Sequence, residues 1–512
     1  MPVPLRRVNS IGRFAVLLAM LALLSAPAGI QTADAQEQTP DVIVVDASAP
    51  AHAFPHFWEQ MFGSGRAILS LRDGYRRDLR EVKQITDFRY VRFHAILDDE
   101  VGVYDEDAQG KPVYNFSYVD QIYDGLLANG VRPFVELSFM PKKLAARPIY
   151  QAFWYHPDVS PPKDWTAWDG LIDAFAKHLV ARYGIDEVSQ WYFEVWNEPN
   201  LDFWGGDPRQ ATYWDLYDHT ARALKQVSPR LRVGGPATAQ AAWVDAFIQH
   251  CHDNQVPVDF VSTHVYGNDK AEDVFGTHEQ IPRDEMVCRA VAKVHKQITA
   301  SSMPELPLIW SEFNASYKNE PDVTDAAYMG PWLGDTIRQC DGMTQMMSYW
   351  TFSDVFEEQG VVKQPFYGGF GLIAVGGIPK PSFNAFKLLH ELGDQRIQVN
   401  SDSAVVTRKE DGTVVIAVWN YAPPGENVPA KTVSLEFKDF DPTQASVSSV
   451  NEAEGDSRTA YEKMGAPPYP TQAQIQQLRE AAELPPPSVQ QISGHKLTLT
   501  IPSHGLDVVT VK

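Results

Sequence analysis

A chain of 512 residues with 44 Lys and Arg against 65 Asp and Glu carries a formal charge of −21. That surplus repels phosphate backbones and argues against a nucleic-acid partner. The length exceeds the ~250–300 residues at which single cores stop growing, 44% hydrophobic and 11% aromatic content excludes global disorder, and three cysteines cannot build a disulfide framework.

The chain opens with Arg6, Arg7 and Arg13, then an apolar run from Phe14 to Leu24, then Ala33-Asp34-Ala35. This order predicts a secretory signal peptide over 1–35, cleaved after Ala35, and a secreted or periplasmic product. The run is too short to span ~30 Å of hydrocarbon. No later stretch reads as a span, so no membrane partner is expected after cleavage. The segment 36–56 contains Val42–Asp46, a strand expected to pair with a second domain.

From 57 to 393, eight apolar runs of strand length alternate with helical patterns: Phe57–Gly63, Arg89–Leu97, Arg132–Phe139, Trp191–Glu198, Leu231–Ala237, Phe260–Tyr266, Leu306–Asn314 and Met346–Asp354. Several are continuous rather than alternating, as parallel strands buried on both faces require. The α/β alternation predicts a (β/α)8 TIM barrel. The rival doubly wound sheet lacks its GxGxxG turn, because Gly63-Ser64-Gly65 continues as Arg66-Ala67-Ile68.

Residues 394–512 hold short Val/Thr-rich runs at Ala404–Arg408, Val414–Tyr421, Thr432–Phe437, Lys496–Ile501 and Leu506–Val511, predicting an antiparallel β-sandwich. Asn451–Val489 reads as a polar excursion with a helix at Thr471–Ala482. Cys251, Cys288 and Cys340 fall in helical segments and read as buried, inert thiols. Consecutive His250, Cys251 and His252 point ~100° apart on a helix and cannot converge on one ion. Asp105, Asp107 and Gly110 echo a calcium loop, but Phe116 at its twelfth position cannot chelate. No metal and no cofactor is expected.

In such a barrel, chemistry sits at the C-terminal strand ends. The fourth run ends in Trp196-Asn197-Glu198-Pro199 and the seventh in Trp310-Ser311-Glu312-Phe313. Strands four and seven lie nearly opposite across the mouth, so the two carboxylates would face each other over one pocket. One protonated and one ionised carboxyl is what glycoside hydrolysis needs, with ~5–5.5 Å between them for retention and more for inversion. Each glutamate alone could equally be a solvated strand-end carboxylate; the matched pair carries the reading.

The segments FRYVRFHAILDDEVGVYDED, GVRPFVELSFMPKKLA, SPPKDW, WYFEVWNEPNLDFWGG, LRVGGPAT, VPVDFVSTHVYG, PLIWSEFNAS, YWTFSDVFEEQG and YGGFGL run in one order over 87–392. They resemble the family 39 glycoside hydrolases of clan A, and within them the bacterial β-xylosidases. A weaker likeness continues into KMGAPPYPTQAQIQQLRE. The resemblance implies a retaining mechanism with Glu198 as general acid/base and Glu312 as nucleophile. It implies Asn197 on the sugar 2-hydroxyl and His264 and Tyr266 orienting the nucleophile. His94 and Glu357 or Glu358 would hold sugar hydroxyls, Phe203 and Trp204 would form an aglycone-side platform, and Trp350 would floor the sugar. The implied substrate is a xylo-oligosaccharide, trimmed from its non-reducing end. Four departures stand out. Phe93 and Ser138 replace Gly. Phe313 replaces Tyr, removing a hydroxyl expected beside Glu312. Tyr367 replaces His, and with Phe93 is expected to narrow the pocket or shift hydroxyl recognition. They leave an arabinosidase, a galactosidase, an endo-acting hydrolase or an α-L-iduronidase-like enzyme as alternatives, with Arg66, Lys142 and Lys143 as the only candidate cations for a uronic acid. A non-catalytic carbohydrate-binding protein is the competing class.

Overall fold

The computed structural model describes residues 40–512; the signal peptide expected over 1–35 lies outside the described residues. All eight predicted barrel runs form strands: β1 (Met61–Gly63), β2 (Tyr90–Phe93), β3 (Arg132–Leu137), β4 (Tyr192–Val195), β5 (Arg232–Thr238), β6 (Phe260–His264), β7 (Leu308–Phe313) and β8 (Met346–Tyr349). They pair in parallel in sequence order and β8 closes on β1 through Ser348–Met61 and Tyr349–Phe62.

Period-2 alternation explains the barrel interior. A lower layer of Met61, Tyr90, Phe134, Tyr192, Phe260, Ile309 and Met346 plugs the barrel with apolar contacts. Two residues further along the same strands stand Gly63, Arg92, Glu136, Glu194, Ser262, Ser311 and Ser348, and those six polar residues are fully buried. The apolar plug is therefore capped by a charged layer directly beneath the mouth.

The second domain stacks two sheets. One has three strands, with Lys431–Lys438 between Asp41–Asp46 and Lys496–Ile501. The other has seven, in the order Ala51–Ala53, Gln395–Ile397, Ala404–Arg408, Val414–Trp419, Leu506–Val511, Gln444–Val450, Ser488–Gln491. Asp41–Asp46 runs parallel to Lys431–Lys438, the one departure from an antiparallel sandwich. Val414–Trp419 is buried along its whole length because its two faces serve two cores. Val414, Ile416 and Val418 meet the other sheet, while Val415, Ala417 and Trp419 meet the barrel helices. Gly334 permits that second contact: a Cβ there would lie 2.8 Å from the Trp419 ring.

One feature corrects the sequence reading. Cys288 and Cys340 are not separate thiols; they form a disulfide between helices Arg283–Thr299 and Met329–Cys340, leaving Cys251 as the free, buried thiol. Their 52-residue separation gave no hint that the two helices pack side by side. Where the chain passes between the domains, buried Glu59 accepts from His56 Nδ1 at 2.8 Å and His390 Nδ1 at 2.9 Å, clasping the incoming and outgoing segments together. Among the described residues no helix is long and apolar enough to cross a membrane.

Candidate active site

A cavity of about 370 Å³ opens at the C-terminal mouth of the barrel, lined by His94, Asn197, Glu198, Phe203, His264, Tyr266, Glu312, Trp350 and Glu358 among others. These nine sequence candidates converge. Glu357 and Trp204 do not. Glu357 turns away into Arg72 and Arg66, whose Nη2 and Nη1 stand 3.0 and 3.3 Å from Oε2. Trp204 is buried against Trp196, its Nε1 donating to Thr212 at 3.0 Å. Consecutive residues in a loop point different ways, so the pairs Glu357-Glu358 and Phe203-Trp204 each contribute one member.

Glu198 and Glu312 face each other, with one carboxylate oxygen of each and a His264 ring nitrogen all within 4.8 Å of one another. Their surroundings differ. Glu312 Oε1 accepts from Arg92 Nη1 at 2.6 Å and Oε2 accepts from the Tyr266 hydroxyl at 2.5 Å. Both carboxylate oxygens of Glu312 are thus held by donors. Among the described residues no cationic side chain bonds Glu198. Burial first, then the charges of Glu312 and Asp269, push its pKa well above the usual carboxylate range. Glu198 also sits at φ +42°, with Trp196 at +71°. This is strained backbone of the kind that accumulates at functional sites, held by the Glu198 N–H to Ala237 carbonyl bond at 2.8 Å.

His264 lies between the two, 3.1 Å from Glu198 Oε1 and 3.6 Å from Glu312. It therefore contacts the expected acid more closely than the nucleophile it was expected to orient. Burial and the charges of Arg92 and His94 keep this ring neutral. A neutral imidazole has one donor and one acceptor nitrogen, matching Nδ1 toward Glu198 and Nε2 toward the Ser311 hydroxyl at 3.1 Å. The Glu198–His264–Glu312 triangle has the spacing of a metal site, but Arg92 already bonds Glu312 and its charge opposes a cation there.

The charged layer beneath was missed by the sequence reading. Arg92 also reaches Glu194 at 2.6 Å, Glu136 at 2.8 Å and Asn197 Oδ1 at 3.0 Å. Glu136 in turn bonds His94 Nδ1 at 2.7 Å. Burial opposes a charge on His94, but Glu136 and Glu358 overcome it and raise the imidazole to about 10. The available signal was the period-2 spacing of Arg92 with His94, and of Glu136 with Ser138, inside otherwise apolar runs.

The four departures resolve physically. Phe93 and Phe313 point away from the cavity, Phe93 stacking on Tyr123 and Phe313 on Trp332. Phe93 therefore does not narrow the pocket. Phe313 takes no hydroxyl from Glu312, and Tyr266 supplies that contact. Tyr367 does not line the cavity either. Ser138 donates to Glu136 and accepts the Ala95 N–H at 3.1 Å, bracing the charged layer. Trp350 lies across β1, where a Cβ on Gly63 would stand 2.0 Å from its ring, with the His94 ring 5.0 Å and the Arg92 guanidinium 5.6 Å from its centroid.

The family model for glycosyl hydrolases family 39 matches residues 41–493. The chain belongs to glycosyl hydrolase family 39. It is 38% identical over 439 residues to a β-xylosidase of Geobacillus stearothermophilus, covering 84% of this chain and 86% of that one. The crystal structure of a monomeric β-xylosidase from Caulobacter crescentus superposes with a TM-score of 0.83 at 36% identity, covering 92% of this chain and 99% of that one. The family 39 enzyme of Xanthomonas axonopodis pv. citri superposes at 0.84 with 34% identity, covering 94% and 99%.

Proposed function

We propose that this chain is an exported, exo-acting retaining β-D-xylosidase that releases xylose from the non-reducing ends of xylo-oligosaccharides. The observation that carries it is the facing Glu198/Glu312 pair, close together yet differently surrounded: Arg92 and Tyr266 bond Glu312, while burial raises the pKa of Glu198. Separations near 5 Å suit retention, whereas inverting pairs stand ~6.5–9.5 Å apart to admit a water.

In the first step the Glu312 carboxylate attacks the anomeric carbon while Glu198 gives its proton to the leaving oxygen. In the second, Glu198 as carboxylate takes a proton from water, and the oxygen of that water displaces Glu312. Two inversions give net retention. The loop after β3 supports exo action. The Trp154 backbone N–H bonds the Glu358 carbonyl at 2.7 Å, fixing the loop that sets Phe153 into the cavity lining, its ring stacked 6.1 Å from His94. A neutral pentose fits this lining better than a uronic acid. Arg66 is committed to Glu100 and Glu357, Lys142 and Lys143 pair with Asp99 and Asp105, and the raised His94 imidazole is already held by Glu136 at 2.7 Å and Glu358 at 3.5 Å. The β-xylosidase relatives support the same sugar.

The test is Glu198→Ala on an aryl β-xyloside with added azide. Rescue with formation of β-xylosyl azide is the expected outcome; an inactive variant that azide cannot rescue overturns the assignment of Glu198.

A further inference from the structure

Resting on the xylosidase reading, we infer that Gln240 and Asp269 form the hydroxyl-binding wall of the leaving-group subsite, so that the enzyme selects glycosyl leaving groups over apolar aglycones. The proton donated by Glu198 goes to the leaving oxygen, so the departing unit must lie on Glu198's side of the cavity, away from His94 and Glu358. The lining there comes from three segments: Leu201 and Phe203, which follow Glu198; Ala239 and Gln240, after β5; and Asp269, after β6. Leu201 and Phe203 offer an apolar face. Gln240 and Asp269 offer amide and carboxylate groups. A pyranose has the same two characters, a C–H face and a hydroxyl rim.

Gln240 is held there by construction. Ala237, Gln240, Ala241 and Trp243 all have φ between +49° and +63°, a cluster of left-handed residues that persists only where surroundings impose it. The clamp is visible. The Asn200 side chain accepts the Ala239 N–H at 2.9 Å and donates to its carbonyl at 3.1 Å. Thr238 Oγ1 donates to the Ala242 carbonyl at 2.6 Å. Asn200 lies two residues beyond Glu198, so the acid and the Gln240 loop are tied into one unit. Asp269 is fixed separately, its Oδ2 accepting the Tyr266 N–H at 2.7 Å. Its charge also bears on Glu198, placing it on the acid's side.

The test compares kcat/KM on xylobiose with kcat/KM on p-nitrophenyl β-xyloside. The two share the glycone and both chemical steps and differ in the leaving group. A lost hydrogen bond to a neutral hydroxyl is worth about 0.5–1.5 kcal/mol. The ratio of the two constants should therefore fall about two- to thirteenfold in Gln240→Ala, and similarly in Asp269→Asn. Because xylobiose leans harder on the Glu198 proton than p-nitrophenyl does, each variant is also assayed on 2,4-dinitrophenyl β-xyloside: a defect in proton donation lowers the p-nitrophenyl to 2,4-dinitrophenyl ratio, whereas a lost hydroxyl contact leaves it unchanged. An unchanged xylobiose to p-nitrophenyl ratio in both variants, with an active wild type, overturns this assignment alone. A wild type inert on both substrates overturns the xylosidase reading, and this assignment with it.

Discussion

Arg92 Nη1 lies 2.6 Å from Glu312 Oε1, and neither side chain is more than 6% exposed. The same guanidinium bonds Glu194 and Glu136, so one cation serves three buried carboxylates. Arg92→Met would strip all three of their partner. Breaking a buried pair by removing one member costs about 3–5 kcal/mol. We expect a loss of that order in urea unfolding, together with a large fall in kcat. Arg92→Lys, a point charge without the planar fork, should recover part of the stability.

The pH profile should show an alkaline limb set by Glu198. Its folded pKa lies above the ordinary carboxylate value, so the acid form persists toward neutrality and activity falls as pH rises through that pKa. The limb should vanish from single-turnover glycosylation of a 2,4-dinitrophenyl xyloside, whose leaving group needs no proton. A limb of equal size on that substrate would contradict Glu198 as the acid.

Thiol titration should find one reactive cysteine in unreduced, denatured protein and three after reduction. Opening the Cys288–Cys340 link, by reductant or by a Cys288→Ser/Cys340→Ser variant, should cost about 2–4 kcal/mol. A crosslink of this type persists in oxidising compartments, which supports the proposed export.

The Glu59 clasp should make stability depend on pH from both sides. The bond to Glu59 raises His390, so its contribution is full below the ordinary histidine value and is lost as pH rises through the raised one. Burial pushes Glu59 up, but His390 and His56 outweigh it and hold the carboxyl low. That contribution is full above the ordinary Glu value and lost as pH falls through the lowered one. The Tm difference between wild type and Glu59→Gln should therefore peak between about pH 4.5 and 6.5.

How far the sequence could be read follows from burial. β7 and β8 stood out because strands buried on both faces read as apolar runs. Gln444–Val450 did not, because QASVSSV alternates small polar residues with valines and carries little hydrophobic contrast. Glu198 and Glu312 were legible because strand order alone sets them opposite each other. Arg92, Glu136 and Glu194 were not, because a charge inside an apolar run makes sense only once its partners on neighbouring strands are known. Glu357 and Trp204 were misplaced because chain position does not say which of two adjacent loop residues turns inward.

Leu506–Val511 sits between Val414–Trp419 and Gln444–Val450 in the seven-stranded sheet, while Asp41–Asp46 reaches a partner strand so distant that Asp46 bonds Lys438, 392 positions away. During vectorial synthesis the earliest of these strands must wait for one of the later ones, and a middle rung of the sheet emerges after all the rest. The barrel can close on the nascent chain, but the sandwich cannot. A stop codon before residue 506 would remove an interior strand and leave facing edges of Val414–Trp419 and Gln444–Val450 unpaired, a ready substrate for proteases and for aggregation. Completion of the sandwich therefore depends on Leu506–Val511, a strand that contributes nothing to the lining of the cavity.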